Sequence, residues 1–181
     1  MTCIVALRDG DKLYMGADSC GSNKYDMIDV AIKKIFRKQD MIIGGTGDYR
    51  MGQLLEYKFT PPIQPDGMGD IEYMSTLFID TIKTLYKDNG YSEIKDNREE
   101  SFGEILVLRK KQIYRIEGCS YSLIVRRGNF DAIGCGDDIS LGVLFALDGI
   151  SMSPQDKIIT ALKASEKYKI GVCSPFNVEE L

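Results

Sequence analysis

The 181-residue chain contains no histidine. That absence narrows the available chemistry. It removes Ser-His and Cys-His nucleophile pairs, and with them the common zinc sites and His-containing iron sites. A hydrolytic reaction on this chain would have to take its base from Lys, Asp, Glu, Tyr or the α-amino group of the chain itself. Thr2 stands directly behind the start methionine. If Met1 is removed, Thr2 carries a free amine beside its own hydroxyl. An α-amine titrates near ~7.7–8.0, close to working pH, and threonine with its own amine is a recognised nucleophile–base pair. A lysine ammonium close by would favour an alkoxide-like oxygen and keep the amine neutral. An aspartate would hold that lysine, and backbone N–H groups from a glycine turn would receive an oxyanion. If Met1 stays attached, this amine does not exist.

Each residue type also has a plainer reading. Thr2 is a β-prone residue at the start of a strand. Asp18 closes the apolar run "LYMGAD" as a turn residue would, and Lys34 before "IF" reads equally well as a surface lysine. Two segments share one pattern, "MIIGGTGDYRMGQLL" and "FDAIGCGDDISLGVLFAL": an apolar strand, Gly-x-Gly, an acid, then an apolar helix. Such strand-to-helix turns point backbone N–H groups at a ligand, or simply allow close packing. Neither fits G-x-G-x-x-G, and no G-K-[ST] occurs, which argues against a nucleotide site. The acids of "RDGDK" lack the remaining ligands of a calcium loop and are read as turn chemistry.

The elements that must position these residues follow from periodicity. Asp9-Gly10 turns a hairpin over 2–18, and a second hairpin covers 34–45 with its later strand more buried. "DYRMGQLLEYKF" changes to helical spacing, with Met51, Leu54, Leu55 and Phe59 near one face. Residues 60–70, holding three of the five prolines, form a loop. "IEYMSTLFIDTIKTLYKDNG" is an amphipathic helix ending at Asn89-Gly90, and "YSEIKDNREES" is a polar, mobile loop. A third hairpin turns at Lys110-Lys111, further strands lie in "YSLIVRR" and "FDAIG", and "DDISLGVLFAL" is a helix. A second helix starts at Ser153 as N-cap with Pro154 next, and a last strand lies in "GVCSPFNVEEL". Hairpins then two helices, twice over, predict an α+β fold with two antiparallel sheets and helices outside them. No linker divides the chain, so residues 1–181 are expected to form one domain.

The composition sets further limits. A formal net charge of −4 speaks against nucleic acid or a membrane surface as partner. No run of about 18 apolar residues and no secretory signal is present, and five cysteines without a C-x-x-C suit a reduced, cytoplasmic setting.

Residues 2–18 resemble the first hairpin of proteasome β-subunits and of the bacterial HslV-type protease subunit. In that family a terminal threonine precedes apolar residues, and G-x-D ends the second strand. Asp18 lies sixteen residues after Thr2, and Lys34, in "KKIF", thirty-two after it, both at the family spacing. "GGTGDYR" is similar to the next glycine turn, "AIGCGDD" to the family's "IGSGG", and "FNVEEL" to the HslV-type ending. The resemblance implies the N-terminal-nucleophile hydrolase fold, a four-layer αββα sandwich, and a threonine-type endopeptidase. By its implication Thr2 is the nucleophile, Lys34 tunes it, Asp18 holds Lys34, and Gly47 gives the oxyanion N–H, with Gly45 second. Cys135 replaces the usual serine of Gly-Ser-Gly beside the terminal amine. An aspartate of the family falls at Lys167, next to Glu166, with Ser165 and Ser174 as nearby hydroxyls. The implied partners are polypeptide substrates, a homo-oligomeric ring and an ATP-dependent unfoldase, with no cofactor or metal. Two other readings stay open: a small-amide hydrolase of the same fold, and a non-catalytic assembly or scaffold relative.

Overall fold

A computed structural model describes residues 1–22 and 26–181. The first hairpin, β1 (Cys3–Asp9) and β2 (Lys12–Ala17), is the centre of a four-stranded antiparallel sheet. Its flanks are β12 (Phe130–Gly134) on β1 and β13 (Asn177–Glu180) on β2. Cys20–Ser22 (β3) and Met27–Asp29 (β4) pair with each other in a small ladder. The second sheet has the order β11-β10-β9-β6-β5. It contains the hairpins β5 (Ile35–Lys38)–β6 (Met41–Gly45) and β9 (Ile105–Arg109)–β10 (Gln112–Ile116), with β11 (Leu123–Val125) at one edge.

Alternation along each strand divides the core into three layers. Ile4, Ala6, Leu13 and Met15 of the first sheet meet Ile42, Leu106 and Leu108 of the second, and all are almost fully buried. The other faces look outward to helices. Val5, Leu7 and Tyr14 pack against the helices Asp137–Ala146 and Pro154–Tyr168 through Leu144, Ile158 and Leu162. Ile43, Ile105 and Val107 pack against helices 49–58 and 70–88. The layers are therefore helix, sheet, sheet, helix, the expected αββα sandwich. Strands β6 and β9, apolar on both faces, are buried on both.

The helices begin and end for local reasons. Asp48 Oδ1 accepts the Arg50 N–H at 2.7 Å and caps the helix that carries Met51, Leu54, Leu55 and Phe59, all buried. Its last turn, Leu54–Lys58, is π-helical, closed by Phe59 N–H donating to Leu54 O at 2.8 Å. Ser153 Oγ accepts the Asp156 N–H at 3.1 Å, with Pro154 in the first helical position, where its missing N–H leaves nothing unsatisfied.

One expectation is corrected. The polar stretch after the second helix is a hairpin, with β7 (Glu93–Lys95) paired to β8 (Arg98–Glu100). Asp96 and Asn97 supply the turn at φ 50° and 61°. Asx residues tolerate this left-handed region, so polar composition alone does not prevent a two-residue turn.

Candidate functional site

Thr2 immediately precedes β1, and Asp18 immediately follows β2. The hairpin register, Ile4 opposite Ala17, continues to a hydrogen bond from Asp18 N–H to Cys3 O at 3.2 Å. The spacing of sixteen is thus the length of one hairpin, which returns the chain to its starting point. Asp18 is completely buried. Its carboxylate accepts the Cys3 N–H and the Cys20 N–H, each at 2.8 Å. Lys34 enters from the residue before β5, in the second sheet. Its ammonium donates to both Asp18 oxygens at 2.9 Å, to Cys20 O at 2.7 Å and to Met1 O at 3.1 Å. Sequence-distant residues 2, 18 and 34 are therefore one cluster.

The Met1 carbonyl oxygen is the meeting point. Thr2 Oγ1 donates to Met1 O at 2.7 Å, so the hydroxyl and the Lys34 ammonium share one acceptor. Thr2 is buried, and its own carbonyl accepts the Cys135 N–H at 2.8 Å. Gly134 makes this approach possible. Its φ is +95°, and a β-carbon there would overlap Thr2 O. Cys135 thus serves Thr2 through its backbone, while its side chain packs against the core under the helices.

A buried polar layer supports that turn from beneath. Ser165 Oγ donates to Gly136 O at 2.8 Å and lies 2.9 Å from Ser140 Oγ, which is 3.3 Å from Cys3 Sγ. Burial pushes the Cys3 thiol up to about 11, and burial with the neighbouring Cys20 pushes Cys173 up to about 12. Both are neutral thiols at working pH and so poor nucleophiles.

A cleft of about 140 Å³, open to solvent, runs beside Thr2; its walls include Lys34, Phe36, Gly47, Tyr49 and Gln53. Gly47, at φ +103°, lines this cleft, and its N–H donates to no protein acceptor among the described residues. Gly45 lines the same cleft from within the β6–β9 ladder, opposite Ile105. Among the described residues no group of three or more Cys, Asp or Glu is arranged to hold a metal ion.

The remaining candidates separate. Lys167 is exposed, whereas Glu166 Oε1 accepts the Ser174 N–H at 2.6 Å and anchors the loop before β13. Ser165 belongs to the buried layer. Sequence reasoning missed Ser19 and Cys20. Ser19 N–H donates to Cys173 O at 3.0 Å and its hydroxyl to Pro175 O at 2.6 Å, tying that loop to the Asp18 corner. The only available signal was that both follow an acid at a strand end.

No family model and no curated protein sequence matches the chain. Solved structures do. Thiobacillus denitrificans BPH superposes with a TM-score of 0.85 at 18% identity, over 99% of this chain and 97% of that one. A structure of the same protein in complex with epoxomicin gives 0.84 at 17%. Eukaryotic HslV from Trypanosoma brucei gives 0.70 at 18%, covering 99% of both chains. Anbu, an ancestral β-subunit from Yersinia bercovieri, gives 0.67 at 15%, over 99% of this chain and 81% of that one. Identities this low establish architecture alone, and that architecture is the αββα fold of the proteasome-related N-terminal-nucleophile hydrolases.

Proposed function

We infer that the chain, once Met1 is removed, is a threonine-type peptidase subunit. The observation that carries this reading is the shared acceptor: the Thr2 hydroxyl and the Asp18-held Lys34 ammonium both reach Met1 O, at 2.7 and 3.1 Å. Removing Met1 frees the amine and leaves hydroxyl, amine and ammonium around one point. Thr2 Oγ then attacks a peptide carbonyl, and the α-amine takes the hydroxyl proton. The Gly47 N–H receives the oxyanion, and the Lys34 ammonium stabilises negative charge developing on Oγ. The leaving amine takes the proton from the α-amine, and water hydrolyses the Thr2 ester by the reverse proton path. Asp18 touches no substrate in this scheme and acts by positioning Lys34.

Polypeptide substrates, a homo-oligomeric ring and an ATP-dependent unfoldase that feeds it belong to the same reading. Exposed Phe145, Tyr168 and Ile170 give self-association apolar surface to bury, and native mass spectrometry reads the outcome. The chain beginning at Thr2 is expected to cleave fluorogenic peptides and unfolded polypeptide and to bind epoxomicin. Thr2→Ala is expected to lose about 10³-fold or more in turnover, the scale of a lost nucleophile. Retention of Met1 on the working protein, or equal turnover by the variant, overturns the reading. A second reading, an inert assembly subunit, draws on Lys167, which is exposed where the resemblance implies an aspartate. Normal assembly of the processed chain with no reaction at Thr2 would select it.

A further inference from the structure

The Met1 side chain has a seat of its own. It lies along the bare backbone of Gly171, in the loop after helix Pro154–Tyr168. A β-carbon on Gly171 would overlap Met1 Cβ and come within 2.6 Å of its Sδ and 2.8 Å of its Cγ. The loop that forms this seat is held on both sides. Val172 N–H donates to Lys169 O at 3.2 Å and Ser19 N–H to Cys173 O at 3.0 Å, while Glu166 holds Ser174 N–H. Met1 itself is 50% exposed, so the seat is a half-open slot.

The position of this slot relative to the reaction follows from connectivity. The Met1 carbonyl carbon is bonded to Thr2 N. A leaving amine must come within about 2.6–3.2 Å of that same nitrogen to receive its proton. The residue carrying the leaving amine therefore enters the space that Met1 vacates. We propose that the Gly171 slot receives the side chain of this leaving-group residue and selects an unbranched apolar one. A β-carbon on Gly171 would approach Met1 Cβ most closely, so a second substituent on Cβ, as in Val, Ile or Thr, adds bulk where the side chain runs nearest the bare glycine. A glycine has nothing to bury there, and an aspartate loses hydration. This specificity rests on the reading of Thr2 as the nucleophile.

Amine exchange on the acyl-enzyme tests it. The chain beginning at Thr2 is acylated with a peptide substrate, and amino-acid amides compete with water for the ester. In the step measured, the amine nitrogen attacks the acyl carbon and a C–N bond forms. The ester C–O bond to Thr2 breaks, and the amine proton passes through the α-amine to Oγ. Attack and departure of the amine cross the same transition state, so preference among amines reports the leaving-group slot. Methioninamide and norleucinamide are expected to capture the acyl group about tenfold better than glycinamide or valinamide, the scale of burying part of a linear side chain. Gly171→Ala is expected to bring that ratio within about twofold of one. Equal capture of all four amines by the unmodified chain, with the acyl-enzyme present by intact mass, overturns the slot and leaves the Thr2 reading standing. No acyl-enzyme at all overturns both. If Gly171→Ala does not fold, the series on the unmodified chain decides alone.

Discussion

The Asp18–Lys34 pair should behave asymmetrically when its members are removed one at a time. The side chains are 0% and 7% exposed, so neither charge can retreat into water. Lys34→Met leaves the Asp18 carboxylate with two backbone N–H donors at 2.8 Å, and each such charge-assisted bond contributes about 1.5–3 kcal/mol. Asp18→Asn removes the counter-charge and turns an acceptor-only group into one whose amide donors face the N–H groups of Cys3 or Cys20. Breaking a buried pair from one side costs about 3–5 kcal/mol. Asp18→Asn is therefore expected at or above the top of that range, and Lys34→Met near its bottom. The double variant has no unpaired charge and should be more stable than the sum of the single losses predicts, by about 2 kcal/mol or more. Urea unfolding of the four chains at pH 7 gives the cycle directly, provided the slope with denaturant is unchanged. Additive losses, or a larger loss for Lys34→Met, would refute the claim that Asp18 is the anchor and Lys34 the guest.

Two further outcomes follow from other parts of the fold. Gly134→Ala is expected to lower stability by about 2 kcal/mol or more in urea, since it forces an alanine to φ +95° against Thr2 O; a change under about 0.5 kcal/mol would refute the steric account. Asp70, bonded to Lys110 at 2.7 Å, has its carboxyl held below 3.8 chiefly by that lysine, against the opposing effect of burial. A depressed carboxyl contributes stability above its unfolded value and loses it as pH falls through its folded value. The melting temperature of Asp70→Asn should therefore fall less steeply than that of the parent chain from pH 5 to below 3.8. The effect should be modest and should shrink in high salt, because this carboxylate is partly solvated. Parallel profiles would refute it.

The architecture was legible because each layer leaves its own period. The unbroken apolar runs "CIVAL" and "MII" both report strands buried on two faces, each between the facing sheet and a helical layer. The Thr2–Asp18–Lys34 cluster was legible through spacing, because hairpin lengths fix which residues return to the same end of a sheet. What escaped was backbone chemistry. Cys135 looked like a side-chain substitution, yet its N–H makes the contact with Thr2. The seat of Met1 on Gly171 left no trace, because one glycine in a loop carries no period. The hairpin over 93–100 escaped because its turn uses Asp96 and Asn97 among exposed polar neighbours, where composition imitates a loop.

The internal similarity between the two Gly-x-Gly segments gains a physical meaning at residue 2. One turn leaves β6 of the second sheet and the other leaves β12 of the first. They meet closely enough that a β-carbon on Gly134 would stand 3.3 Å from Thr46 Cγ2. They nevertheless divide their labour. The Cys135 N–H is spent on Thr2 O, while the Gly47 N–H, in the cleft wall, donates to no protein acceptor among the described residues. A chain terminus is ordinarily the most mobile part of a domain, and a nucleophile placed there would lose the advantage of orientation. Here Thr2 is held by the Cys135 N–H at its carbonyl and, one residue on, by the Asp18 carboxylate at Cys3 N–H. On the reading of Thr2 as nucleophile, these contacts hold it with Met1 attached, so removing the methionine would need only to uncover the amine.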